Sequence, residues 1–145
     1  MGRIIGGVVL GYVVMVAAVM VTFTIVYMAM GADRAFQPDS YHVTGLWLAA
    51  STILSLGAAI LGGWVAVRIG KSTRAAVYLA IAVVVIGVVF ALPTLNAPRS
   101  DEVRTGDIGN TEAMMKAQQP PAVAILNPVI GGIGVMIGSR RRKTS

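Results

Sequence analysis

The charged residues of this chain are divided by four hydrophobic segments. Residues 4–30, 43–67, 75–92 and 122–138 contain no Asp, Glu, Lys, Arg or His. Each segment is about as long as a helix that crosses the ~30 Å hydrocarbon core of a bilayer. Charged residues make up only 12% of the chain, against roughly 25% in soluble domains. We therefore predict an all-α integral membrane protein with four transmembrane helices, at about 4–30, 44–68, 75–92 and 121–138.

The connections between these segments carry unequal charge. The chain ends and the connections fall alternately on the two sides of the membrane. One side then has eight basic and no acidic residues, and the other has four basic and all six acidic residues. The positive-inside rule makes the first side cytoplasmic. We predict an up-down antiparallel bundle in a bacterial-type inner membrane, with both termini cytoplasmic and outer loops at 31–43 and 93–120. Besides Arg3, the basic residues predicted to flank the lipid are Arg68, Lys71, Arg74, Arg140, Arg141, Arg142 and Lys143.

Composition also excludes classes of function. The chain has no cysteine, so disulfides, thiol redox chemistry and thiolate metal sites are excluded. A net charge of +6 does not indicate a nucleic-acid partner here, because the basic residues flank helix ends instead of covering a soluble surface. The first hydrophobic segment is far longer than the ~7–15 residues of a signal-peptide core. We expect an uncleaved anchor and a single membrane domain over residues 1–145.

Small residues recur at fourfold spacing within the predicted helices. This spacing puts them on one helix face, where two backbones can approach closely. Intramolecular packing of the four helices is the simpler interpretation. The alternative is that the face from Gly2 to Gly11 is free for a second subunit, giving a homo-oligomer. The predicted helix-packing residues are Gly6, Gly7, Gly11, Gly62, Gly63, Gly131, Gly134 and Gly138.

The four hydrophobic segments contain few polar side chains and no Asp, Glu, Lys, Arg or His. This excludes proton-coupled export through a membrane carboxylate, proton pumping and haem ligation. Five hydroxyls can bond their own preceding turn and are interpreted as structural. Asn127 differs, because it precedes Pro128 and its amide needs another partner. We interpret this pair as a kink sealed between helices, or alternatively as a broken-helix binding site. The five hydroxyls are those of Thr22, Thr24, Ser51, Thr52 and Ser55.

The predicted outer loops contain aromatic residues and a helix signal. Phe36 and Tyr41 can lie at the lipid headgroups, where aromatic side chains commonly anchor membrane proteins. From Asn110 a capping residue and good helix formers precede Pro120-Pro121. We predict a short helix at the membrane surface, with a docking lid as the alternative. Arg68 and Arg74 bound a connection so short that helices 2 and 3 are expected to be antiparallel neighbours.

Catalytic and metal-binding patterns are weak. Four methionine thioethers and His42 are predicted on the outer face of the membrane, and thioethers are ligands that select Cu(I). Their spacing in the sequence matches no compact metal-ligand motif. The sequence Gly70-Lys-Ser-Thr73 lacks the upstream glycine of a phosphate loop. We predict no metal, no cofactor and no enzyme activity. The thioethers belong to Met28, Met30, Met114 and Met115.

Two functions remain consistent with the sequence. We predict a small structural or accessory membrane subunit that acts through helix packing and its outer loops. Its expected partners are the lipid bilayer and either a second copy of the chain, in a homo-oligomer, or a larger membrane complex. The alternative is a small oligomeric transporter or channel with a neutral path near Asn127, lined also by Ser51, Thr52 and Ser55. A passage requires these side chains to share one wetted cavity, whereas a scaffold buries them singly against backbone.

Overall fold

The computed structural model describes residues 1–96, 98 and 101–140. Six helices follow one another along the chain, and no strand occurs in this part of it. Four of the helices are long and apolar enough to cross a membrane, which confirms the predicted all-α class and the presence of four candidate spans. The helices are α1 Gly2–Met30, α2 Ala32–Ala35, α3 Gly45–Gly70, α4 Thr73–Asn96, α5 Asn110–Lys116 and α6 Pro121–Arg140.

Helix ends follow local chemistry, with differences from the predicted bounds. The Thr44 hydroxyl caps α3 by accepting from the backbone N–H of Trp47 at 3.2 Å. At the other end of α3, Lys71 adopts a left-handed conformation that stops the helix. Helix α4 continues four residues beyond the predicted end at 92, through Pro93. The Asn96 side chain donates to the Leu92 carbonyl at 3.1 Å and so satisfies a carbonyl in this last turn.

Glycines set the close approach of α1 to α3. A Cβ on Gly7 would lie 2.5 Å from the carbonyl oxygen of Ala66, and one on Gly11 would lie 2.8 Å from that of Gly62. As residue numbers rise along α1 they fall along α3, so the two helices run in opposite directions. Only a residue without a side chain fits at these contacts.

Helix α6 packs closely against both α3 and α4. A Cβ on Gly134 would lie 2.8 Å from the Ala59 Cβ, and Gly63 and Gly138 face the carbonyls of Val135 and Ile60. On its other side, α6 places the Pro128 ring against Gly87 of α4, where a Cβ would meet Cγ at 2.6 Å. The bundle core lies between these helices and consists of Ala59, Ala66, Val67, Ala75, Ala76, Leu79, Ala80, Val83 and Val135.

Helices α3 and α4, which are joined by a two-residue turn, contact each other less extensively than each contacts α6. They do meet at the turn, where a Cβ on Gly70 would lie 2.6 Å from that of Ala75. The expectation that helices 2 and 3 are close neighbours therefore applies mainly near this turn. A short link brings together only the ends of α3 and α4. The glycines of α6 let its backbone approach α3 and α4 closely along its length.

Candidate functional site: an acidic cap above a polar cleft

Two connecting segments, residues 31–44 and 101–120, pack together at one end of the bundle, and we call them the acidic cap. They contain all six acidic residues of the chain. Their apolar core is continuous with the end of α1 through Tyr27, which is 6% exposed. The buried residues of this core are Tyr27, Ala32, Ala35, Phe36, Tyr41, Val43, Ile108 and Ala113.

Aromatic rings form the centre of the acidic cap. Phe36 packs edge-to-face against Tyr27 and Tyr41, with ring centroids 6.4 and 6.1 Å apart. Phe36 and Tyr41 are only 3% and 4% exposed, so they lie inside the cap and not at the surface where the sequence placed them. The Tyr27 hydroxyl donates to the Ile108 carbonyl at 2.8 Å. This pairing satisfies the polar end of a buried ring, as burial requires.

Backbone hydrogen bonds join the two segments of the cap. The Gln118 N–H donates to the Tyr41 carbonyl at 2.9 Å, and the Val43 N–H donates to the Gln118 carbonyl at 3.2 Å. These two bonds make a parallel bridge between His42 and Gln118. Backbone N–H and C=O groups thus hold residues from distant parts of the chain side by side.

Arg104 ties the second segment to the first. Its side chain is 6% exposed and pairs through Nη2 with Asp33 Oδ1 at 2.9 Å. Its Nη1 donates to the Gly106 carbonyl at 2.8 Å, and its backbone N–H donates to the Asp39 carbonyl at 3.2 Å. A buried guanidinium needs such partners, because an unpaired charge away from water is strongly unfavourable.

Lys116 is the centre of a second charged group. Its ammonium lies 2.8 Å from Glu102 Oε1 and 3.5 Å from Glu112 Oε1, and it lies 5.0 Å from the centre of the Tyr41 ring. The hydrogen bond to Glu102 raises the pKa of Lys116, partial burial opposes this, and Tyr41 adds to the increase. The Tyr41 hydroxyl also donates to Glu112 at 3.0 Å, so α5 is held against the first segment.

The short helix predicted from Asn110 is present as α5. Asn110 does not cap it, since it is the first helical residue and its Nδ2 donates to the Thr24 hydroxyl of α1 at 3.1 Å. Ala113 is buried beneath α5, whereas Met114 and Met115 are 46% and 82% exposed. One face of α5 therefore packs on the bundle and the other is open.

A cleft of about 410 Å³ lies beneath the cap, between α1, α4 and α6. Asn127 lines it, and its Nδ2 makes a long hydrogen bond of 3.5 Å to Gln119 Oε1 of the cap. Pro128 has no N–H, so the helical bond to the Ala124 carbonyl is not made. Asn127, Gln119 and Thr94 therefore bring polar side chains to a cleft that is lined mostly by apolar residues.

Other predicted polar residues do not join Asn127. The hydroxyls of Ser51 and Thr52 both donate to the Leu48 carbonyl, at 3.1 and 2.7 Å, and Ser55 is not among the residues that line the cleft. The Thr22 hydroxyl donates to the Ala18 carbonyl of its own helix at 2.6 Å. These serine and threonine side chains therefore do not line the cleft that contains Asn127.

The predicted packing glycines have separate locations. Gly7 and Gly11 contact α3, Gly62 contacts α1, and Gly131 approaches Val83 of α4, where a Cβ would lie 3.1 Å from Cγ1. Only Gly6 of the predicted set has nothing within 4 Å of an added Cβ. The face that includes Gly7 and Gly11 is thus occupied within the chain. Gly2 and Gly6, at the start of the same helix, have nothing within 4 Å of an added Cβ, so only the Gly7 and Gly11 part of the predicted face is covered within the chain.

The predicted basic residues flank the end of the bundle opposite the cap. The Arg68 guanidinium lies 4.9 Å from the centre of the Trp64 ring, Lys71 and Arg74 follow at the turn, and Arg140 ends α6. Arg141, Arg142 and Lys143, with Arg99 of the second outer loop, lie outside the described residues. Among the described residues, no group of three His, Asp or Glu side chains could hold a metal ion.

Sequence reasoning did not identify several residues that build this site. Arg104 and Asp33 are 71 positions apart, and no local pattern pairs them. Gly87 receives the Pro128 ring, although it is the only glycine in its helix. Gln119, which reaches Asn127, directly precedes two prolines and carried no signal beyond loop composition. No family model, no curated protein and no solved structure matches this chain.

Proposed function

We propose that this protein is a small, non-catalytic accessory subunit of a membrane complex, and that it presents the acidic cap to a partner. The observation that carries the proposal is the packed core of the cap, with Tyr27, Phe36 and Tyr41 all buried. The 24 residues between Asn96 and Pro121 exceed the ~2–8 that usually join helices in a bundle. Ordering residues 101–120 costs ~1–2 kcal/mol per residue in backbone entropy, which a mere connection would not require.

The chemistry of the bundle supports the same function. No Asp, Glu, Lys, Arg or His occurs in the four hydrophobic segments, so coupling to ions by an embedded charge has no residue to perform it. The hydroxyls of Ser51 and Thr52 are satisfied by backbone in their own helix. These are the features of a bundle that holds its helices and its cap in position.

The proposal is tested by native purification in mild detergent or nanodiscs, followed by mass spectrometry of the intact complex. We expect a stoichiometric partner of different mass. Met115→Ala removes the most exposed apolar side chain of α5 and is expected to lower the fraction of complexed protein. Met20→Ala, the same change on an exposed position of α1, is the control and should leave it unchanged. A lone homo-oligomer in every preparation would contradict the proposal.

One observation favours a second candidate, a small oligomeric transporter of neutral solutes. The cleft that contains Asn127 shares Thr94, Ala117 and Gln119 with a polar cavity of about 520 Å³ beside the cap. If transport is the function, a homo-oligomer in liposomes should show solute flux, and Asn127→Leu should abolish it. If the accessory function holds, the same substitution leaves the heteromeric complex assembled and no flux is observed.

The multi-pass membrane location carries a topology prediction. The four apolar helices place the acidic cap and the basic helix ends at opposite ends of the bundle. With the positive-inside rule, we propose that the termini are cytoplasmic in a bacterial-type inner membrane. A reporter that is active only outside the cytoplasm, fused after Gly109, is expected to be active. A matched fusion after Ser72, in the turn between α3 and α4, should be inactive, and the reverse pattern would contradict the topology.

A further inference from the structure

A groove of about 720 Å³ lies between α4 and α6, on the half of the bundle away from the cap. Two small residues, Ala80 and Gly132, form its floor and are buried. Its sides are larger apolar residues such as Ile81 and Ile133, which are 55% and 53% exposed. Arg140, the one basic residue of α6, lines an end of the groove. The groove is therefore apolar along its length and cationic at one end.

The α6 side of the groove is about as long as one leaflet of a bilayer. Along α6 it extends from Val129 to Arg140. At a rise of ~1.5 Å per residue, that distance is about 16 Å, roughly half of a ~30 Å hydrocarbon core. A single acyl chain spans the same distance when its headgroup lies at the membrane surface.

The charge around Arg140 calls for an anion from outside the chain. Arg3, Arg68, Lys71 and Arg74 are at the same end of the bundle, and all six acidic residues are in the cap at the other end. Within the described residues, the ion pairs involve only Arg104 and Lys116. No acidic side chain of this protein is therefore placed to neutralise Arg140.

We propose that this groove binds one acyl chain of an anionic phospholipid, whose phosphate pairs with Arg140. The apolar sides accept the chain, and the guanidinium is suited to bidentate contact with phosphate oxygens. Anionic lipid is attracted to such positions by ~1 kcal/mol per basic residue near the surface.

A second copy of the chain fits the groove less well than a lipid. Copies inserted in one membrane share an orientation, so their basic ends lie at the same depth. A helix of a second copy in the groove would bring its own basic end close to Arg140. The like charges would then repel each other, with no acidic side chain at that end to separate them.

The test uses lipids with brominated acyl chains, which quench tryptophan on contact. Ile133→Trp puts the probe on the side of the groove, and Val9→Trp puts a matched probe on α1, where Val9 is 54% exposed. Signals are corrected for Trp47 and Trp64 with the unsubstituted protein. We expect anionic lipid to quench the groove probe at about fivefold lower mole fraction than zwitterionic lipid. At the α1 probe the two lipids should quench about equally.

Charge variants identify the residue responsible. Arg140→Gln in the Ile133→Trp background is expected to abolish the fivefold preference. Arg3→Gln, which removes one charge at the same end but on α1, should leave it in place. Equal anionic preference at both probes, or equal loss with both charge variants, would show general surface attraction and overturn the proposal. Protection of the groove probe from every lipid, with a dimer mass, would show that a second copy occupies the groove instead.

Discussion

Replacing Gly63 by alanine is expected to lower the free energy of unfolding of the bundle by about 1–3 kcal/mol, the usual cost of overpacking a tight contact. Gly63 lies where α3 meets α6, and an added Cβ would overlap the Val135 carbonyl. The obstacle is backbone, so no side-chain rotation can relieve it. The helices must move apart, and the packing of the neighbouring Gly138 against Ile60 would loosen with them.

Gly57 provides a matched control in the same helix. An added Cβ there meets nothing within 4 Å. Alanine is favoured over glycine in a helix interior by about 1 kcal/mol, so Gly57→Ala should be neutral or stabilising. Thermal unfolding in detergent, followed by the helical circular dichroism signal, distinguishes the two variants. Equal behaviour of Gly63→Ala and Gly57→Ala would mean that α3 and α6 are not in this contact.

Replacing Phe36 by alanine is expected to destabilise the acidic cap by about 3–5 kcal/mol. The ring is 3% exposed and packs against both Tyr27 and Tyr41, so its removal leaves a cavity at the centre of the cap. Phe36 contacts the bundle at Tyr27, near the end of α1, and is far along the chain from the glycine contacts between α3 and α6. We therefore expect faster hydrogen exchange in residues 101–120, with little change in α3 or α6.

Phe90→Ala is the control for this experiment. Phe90 lies on α4 and is 75% exposed, so the same loss of a ring removes little packing within the protein. Hydrogen exchange in residues 101–120 should then match that of the unsubstituted protein. If Phe36→Ala also left the exchange of this segment unchanged, the ring would not be part of the core that joins the two segments.

The sequence predicts the membrane helices well because charge is excluded from lipid. Uncharged segments of sufficient length have few alternatives to a spanning helix, and the four segments match four helices. Glycine spacing shows which face of a helix is small, but not which helix covers it. The pattern at Gly7 and Gly11 therefore predicts a packing face but does not say whether another helix of the chain or a second subunit covers it. The contact with α3 is visible only in the structure.

The acidic cap could be predicted far less completely. Its interactions join residues that are distant in sequence, such as Tyr41 with Glu112 and Arg104 with Asp33. No periodic pattern specifies such pairs, since each depends on where two loops meet. The helix signal at Asn110 was local, and α5 was found there. The cleft beside Asn127 depends on Gln119 from the cap, so it could not be located before the cap itself.

The central claim is that the two segments of the acidic cap fold as one unit, and a cysteine pair tests it most directly. His42 and Gln118 form a parallel bridge, and residues so paired lie ~4.8 Å apart, within the range that a disulfide can span. The chain has no other cysteine to compete. We expect His42→Cys/Gln118→Cys to form a disulfide within one chain on mild oxidation, whereas His42→Cys/Thr73→Cys should not. Failure of the first pair to close within a chain would contradict the account.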